Sequence, residues 1–262
     1  MKAAKQGCAE AQFHMGTMYQ LGRGVRPSRR IAMMYFQKAA DQGFALAEGI
    51  VGALYYTGRG AVAQDFEVAM KWSLKAAEKG FGPSQYIVGS IYKDGKGVSV
   101  DSQKAMDWFL KAAGKGNTDA QFVLGEMYRS GKDIPQDYQH ATEWYLKAAN
   151  GGDADAQFSV ALMYHAGKGK EVPQDYEKAM AWNVKAANQG HKDAQRNLGF
   201  MYHHGKGAPQ DHEKAMEWLK KAADVDTIRI LEKLSQENKG SEKDQKSNGS
   251  ILSFTGKWFS SK

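Results

Sequence analysis

The chain has 262 residues, of which 42% are apolar, enough for a substantial core in one or two domains. Its single cysteine, Cys8, excludes an internal disulfide framework, and no run approaches the roughly 18 consecutive apolar residues of a membrane span. The net charge of +7 raises the question of nucleic acid, but lysine recurs in Lys-Ala-Ala steps close to Asp or Glu rather than on one basic face. No nucleic-acid partner is therefore expected. Met1 to Gly7 holds no apolar stretch of a secretory signal, so a cytoplasmic protein without stable membrane insertion is the expectation.

In chain order, Lys2-Ala3-Ala4-Lys5-Gln6-Gly7 matches Lys75-Ala76-Ala77-Glu78-Lys79-Gly80 further on, so residues 1–8 read as the remnant of a preceding repeat helix. On that reading the chain is a fragment of a longer array, monomeric unless its open N-terminal face self-associates. Six copies of one pattern follow, over 9–44, 45–81, 82–117, 118–153, 154–191 and 192–226. Each begins with a helix anchored on a small residue: Ala11, Ala47, Ser84, Ala120, Ala156 and Ala194. Gln or Glu stands next to it, a small residue five places on, tyrosine eight places on and glycine eleven places on, from Tyr19 and Gly22 to Tyr202 and Gly205. That spacing is helical and the glycine is a C-cap. We call this helix A.

Ser28, Asp65, Asp101, Asp137, Asp175 and Asp211 then stand four places before an alanine, as N-caps of helix B. Tyr35, Trp72, Trp108, Trp144, Trp182 and Trp218 follow, then a double alanine from Ala39-Ala40 to Ala222-Ala223. Small residues let backbones approach closely, and the Tyr and Trp columns are expected to fill the space between helix pairs. Extra residues such as Gly169 to Pro173 fall only between A and B, where added length costs little. Residues 227–235 read as a capping helix and 236–262 as a disordered tail with an apolar end at Ile251, Leu252, Phe254, Trp258 and Phe259.

The run Ala-x3-Leu-Gly-x2-Tyr-x2-Gly-x-Gly, then Asp-x3-Ala-x2-Trp-x3-Ala-Ala-x3-Gly, resembles the Sel-1-like repeat family, a relative of the tetratricopeptide repeat. The resemblance implies an all-α, right-handed solenoid of six antiparallel helix pairs, with helix A lining the concave surface. It implies an adaptor or scaffold and not an enzyme. Members occur in endoplasmic-reticulum quality control, in regulation of fungal chitin synthesis and in bacterial host interaction. A quality-control adaptor of that kind, or a regulatory segment of a larger and catalytic protein, is the alternative. With Cys8 alone, the chain departs from the cysteine-rich bacterial branch that ties each helix pair with a disulfide.

Recognition is expected where copies differ. On helix A the places two, six and nine beyond the small residue share a face. They carry Phe13, Tyr56, Tyr86, Phe122, Phe158 and Phe200 among Lys93, Arg129, His165, Arg196 and His203. Aromatics and arginine are the types enriched at interface hot spots, which points to a protein partner offering a segment with apolar and acidic residues. Some of these rings have the alternative of packing on a neighbouring helix. Other chemistry finds little support. The Gly-x-Gly turns complete no phosphate fingerprint, so no cofactor is expected. His203-His204, with His191 and His212, forms the sole histidine cluster, but adjacent helical residues diverge and no metal site is expected. Cys8 carries no nucleophile signature, and no catalytic residue is expected. Asn248-Gly249-Ser250 matches a glycosylation sequon by chance.

Overall fold

The computed structural model describes residues 2–132, 134–167, 172–222 and 227. Every regular element among them is an α-helix. A short α1 (Lys2–Lys5) precedes six A helices: α2 (Ala9–Leu21), α4 (Ala45–Thr57), α6 (Gly82–Asp94), α8 (Thr118–Ser130), α10 (Ala154–Ala166) and α12 (Lys192–His204). The B helices alternate with them: α3 (Arg29–Asp41), α5 (Phe66–Glu78), α7 (Ser102–Gly114), α9 (Tyr138–Asn150), α11 (Tyr176–Asn188) and α13 (His212–Ala222). The chain divides into two compact units, 1–182 and 183–262. The tail, the capping segment apart from Thr227, and the extra loop residues 168–171 lie outside the described residues.

The caps follow the side-chain chemistry. The Asp65, Asp101, Asp137, Asp175 and Asp211 carboxylates each accept the N–H three residues on at 2.9 Å. Ser28 does the same more loosely at 3.3 Å. The caps also clasp the hairpin, because their backbone N–H donates to the carbonyl of the helix-A tyrosine, as Asp137 does to Tyr128 at 2.9 Å. At the other end of helix A, Gly22, Gly58, Gly95, Gly131, Gly167 and Gly205 all take the left-handed conformation that only glycine adopts without strain.

Packing departs from the expected division of labour on helix B. The double alanines from Ala39-Ala40 to Ala186-Ala187, and Ala222, are buried as expected. The tryptophan column, however, is half-buried except for Trp72, and the rings of Trp72, Trp108, Trp144 and Trp218 lie under lysine. Lys75 Nζ stands 4.5 Å from the Trp72 ring centre, Lys111 4.0 Å from Trp108, Lys147 3.7 Å from Trp144 and Lys221 4.0 Å from Trp218. This cation–π placement suits a ring at the edge of the core, where the lysine stem covers apolar surface and the ammonium stays wet.

The fully buried column is the next residue along: Phe36, Ser73, Phe109, Tyr145, Asn183 and Leu219. Four of these face the small residue of their own helix A. A Cβ built on Gly16 would meet the Phe36 ring at 2.6 Å, on Gly89 the Phe109 ring at 2.8 Å, on Gly125 the Tyr145 ring at 2.5 Å and on Gly199 the Leu219 side chain at 2.5 Å. A Cβ built on Gly52 would meet the Ser73 hydroxyl and, at 2.9 Å, its backbone N, so there the two helix backbones come close together. The glycine is needed because the opposing side chain occupies the volume a Cβ would take.

The Gln column links successive repeats. Gln85, Gln121 and Gln157 are buried, and each donates Nε2–H to the second alanine carbonyl of the preceding helix B at 3.1–3.2 Å. Gln195 does so to Ala187 at 3.0 Å, and Gln12 to Ala4 of α1 at 3.3 Å. These bonds satisfy carbonyls at a buried helix end. Glu48 cannot donate, and instead receives the Lys79 ammonium on both oxygens at 2.7 and 2.8 Å. Lys79 also donates to the Gly43 carbonyl at 2.8 Å, so the lysine restores the tie between repeats 1 and 2.

Candidate protein-binding surface

The expected face of helix A is neither plainly core nor plainly exposed. Phe13, Tyr56, Tyr86, Phe122, Phe158, Phe200, Arg129, His165 and His203 are half-buried, Lys93 is exposed and Arg196 is buried. Three of the rings rest on the buried helix-B column beneath them. Phe13 meets Phe36 at 5.8 Å between ring centres, Tyr86 meets Phe109 at 5.8 Å, and Phe122 meets Tyr145 at 5.7 Å. Phe13 also touches Phe44, which opens the next helix A, at 5.3 Å. In repeat 2 the corresponding place is Gly49, and the following Phe81 fills it. Tyr56 packs edge-on against Phe66 at 5.8 Å, and His165 against Tyr176 at 5.2 Å.

Repeat 4 adds a polar network to this face. The Tyr145 hydroxyl, on a side chain with no exposed surface, donates a short hydrogen bond to Glu126. Arg129 closes the set, donating Nε–H to Glu126 at 3.1 Å and to the Tyr145 oxygen at 3.1 Å, and a second N–H to Glu126 at 2.6 Å. Burial pushes the Glu126 carboxyl up, but the hydrogen bonds from Arg129 and Tyr145 outweigh it and leave the group low. Burial and the Glu126 carboxylate raise the Tyr145 hydroxyl well above the usual phenol range. Arg129 is thus a charge-assisted cation held in one orientation by Glu126 and Tyr145. Arg196 is held in a comparable way, paired with Asp193 one turn earlier.

Lysine also reaches this face in repeats 2 and 3: Lys96 Nζ lies 5.6 Å from the Tyr56 ring centre. Lys93 pairs with its neighbour Asp94 at 3.5 Å. Cys8 is exposed, with no disulfide partner. Among the described residues no group of three or more His, Cys, Asp or Glu converges as a metal site, and no helix is long and apolar enough to cross a membrane.

Two features of this region were not read from the sequence. The Glu126–Tyr145–Arg129 network joins residues up to 19 apart on two helices, and its only local signal is the Glu126/Arg129 spacing of one helical turn. The second is the approach of His203 to His212 across the turn of repeat 6.

A face of half-buried rings, displayed once per helix pair, places the chain among helical-repeat proteins. The Sel1 repeat model matches residues 9–44, 45–81, 82–117, 118–153, 154–191 and 192–226, and the chain belongs to that family. Sel1 repeats are in general protein-interaction scaffolds. Among solved structures, the chain is similar to c5321, described as a protective antigen of uropathogenic Escherichia coli strains with an SLR fold, at 32% identity and a TM-score of 0.84. The likeness covers 90% of this chain and 51% of that one, so the chain spans about half the length of the E. coli protein. A Sel1 repeat protein of Oxalobacter formigenes is similar at 30% identity and a TM-score of 0.74, over 82% of this chain and 87% of that one. No curated protein matches the chain.

Proposed function

We propose that the chain is a non-catalytic, cytoplasmic adaptor that holds a partner's peptide segment against the helix-A face. Phe13, Tyr56, Tyr86, Phe122, Phe158 and Phe200 supply apolar anchors, and Lys93, Arg129, His165 and His203 supply polar and basic positions for acidic residues of the partner, whereas Arg196, buried and paired with Asp193, serves the scaffold. The observation that carries this reading is the pinning of Phe13, Tyr86 and Phe122. Each rests on a fully buried ring of helix B yet keeps part of its own surface open. A ring already fixed loses little rotamer freedom on binding, which is what an interface anchor requires. Arg129 is oriented beforehand in the same sense by Glu126 and Tyr145.

The test is selection from a displayed library of peptides that combine aliphatic or aromatic residues with Asp and Glu. The unaltered chain is compared with a variant carrying F122A, F158A and R129A, after circular dichroism shows equal helix content. Selection of acidic-apolar peptides by the first and their loss in the second is the expected result. Identical peptides from both would remove the helix-A face as the binding surface.

A further inference from the structure

The hairpin of repeat 6 brings two imidazoles into an arrangement the other repeats lack. His203 closes the final turn of α12 and His212 opens α13. Between them Gly205 turns the chain in the left-handed region. Gln210 Nε2–H donates to the His203 carbonyl at 2.7 Å, and the Asp211 N–H to the Tyr202 carbonyl at 2.9 Å. With the turn fixed at both sides, His203 Nδ1 and His212 Nδ1 stand 3.2 Å apart and share one N–H···N hydrogen bond, whose direction depends on the tautomer and whose proton a bound metal would replace. The ring centres are 4.9 Å apart with planes at 62°, so the rings face each other through those nitrogens.

The same two places are filled in every repeat, by Gln20/Arg29, Tyr56/Phe66, Lys93/Ser102, Arg129/Tyr138 and His165/Tyr176. The Tyr56/Phe66 and His165/Tyr176 rings touch at 5.8 and 5.2 Å, so close approach here belongs to the scaffold. Only in repeat 6 are both partners metal-ligating. Two nitrogens bound at about 2.0–2.1 Å to one tetrahedral ion lie about 3.3 Å from each other, against 3.2 Å here. Square-planar ligands in cis positions would stand nearer, at about 2.8 Å.

We propose that His203 and His212 form a two-histidine chelate for a divalent transition metal that favours imidazole in tetrahedral geometry, zinc foremost, with water in the remaining positions. His204 takes no part: its Nδ1 lies 2.8 Å from the Phe200 carbonyl one turn back. No third His, Cys, Asp or Glu converges among the described residues, so this is an open site and not a structural zinc centre. His203 also belongs to the proposed peptide-binding face, but the peptide selection above alters neither His203 nor His212, so the two readings fail separately.

The test is calorimetric titration of the full, untagged chain with zinc chloride at neutral pH, alongside cobalt(II) absorption to report tetrahedral coordination. One zinc per chain is expected. H203F and H212F each weaken binding about tenfold or more, because the second ligand no longer acts at a high effective concentration, and H204F leaves it unchanged. Phenylalanine keeps a ring at the place where Phe66 stands in repeat 2. Should it disturb folding, H212S, with the residue type of repeat 3, gives the same comparison. No zinc uptake by the unaltered chain, or equal affinity in the His203 and His212 variants, overturns the proposal.

Discussion

Repeats 2 and 4 share one backbone plan and fill it in opposite ways. Repeat 4 puts a large side chain in the buried helix-B column, Tyr145, and builds Phe122, Glu126 and Arg129 outward from it. Repeat 2 puts Ser73 there with Gly52 opposite, so the helices close on each other, and Phe81 at the end of the repeat fills the place at Gly49. At the joint between repeats the roles reverse. Repeat 4 uses the neutral Gln121 bond, whereas repeat 2 buries a charge, Glu48, under Lys79. The constant residues define where helices run, and the variable buried column decides what each repeat can hold on its surface.

The sharpest way to break this contrast is to truncate the two column residues. Tyr145→Ala removes a filled volume and strands Glu126 and Arg129, and lowers unfolding free energy by about 3–5 kcal/mol in urea titration. Ser73→Ala deletes a buried hydroxyl that has no hydrogen-bond partner and leaves stability within about 0.5 kcal/mol or raises it. Equal losses in both would mean the column does not divide the repeats.

The joint gives the next largest effect. Lys79→Ala leaves the Glu48 carboxylate, 3% exposed, without its cation, and costs about 3 kcal/mol. Adding Glu48→Gln recovers most of it, because glutamine can donate to the Ala40 carbonyl as its counterparts do. A double-mutant cycle measures this, and an additive result would show that the pair is not coupled.

Overpacking separates the repeats less strongly. Gly125→Val drives its side chain into the Tyr145 ring and costs about 1–3 kcal/mol by denaturation. The paired variant Gly125→Val/Tyr145→Ala recovers part of the loss of either single change.

The smallest expected effect concerns the caps. Repeats 3, 5 and 6 place Lys104, Lys178 and Lys214 three residues after the cap aspartate, and repeat 4 places His140 there. The hydrogen bond to Asp137 raises His140 above its ordinary 6.5, and the His140 backbone N–H and side chain lower Asp137. The raised histidine adds stability that is complete below its unfolded value and is lost as pH rises through the folded one. The lowered aspartate adds stability present above its own unfolded value and lost as pH falls through the folded one. The pair therefore contributes most between the two, in mildly acidic solution. His140→Lys extends that contribution into the alkaline range. Melting temperatures at mildly acidic and mildly alkaline pH then differ less in the variant than in the parent chain.

Local rules made most of the fold legible. Asp137 and its counterparts cap helix B because an aspartate four places before a buried alanine has a free N–H within reach, and Gly131 and its counterparts end helix A because only glycine relaxes there. The candidate face was legible as a set of residue types at helical spacing. Its half-burial was not, because that depends on Phe36, Phe109 and Tyr145 on another helix.

By itself the sequence determined the repeat, the helix pairs, their caps and the family they belong to, since each rests on contacts within a few residues and on period. Tertiary structure decided which of two adjacent helix-B columns is core. Trp144 and Tyr145 are both aromatic and one residue apart, and a rotation of one residue about the helix axis separates a ring under lysine from a ring fully enclosed. It also decided that Gln121 reaches back to Ala113 and that His203 meets His212 across a turn, because both depend on how close two helix ends come.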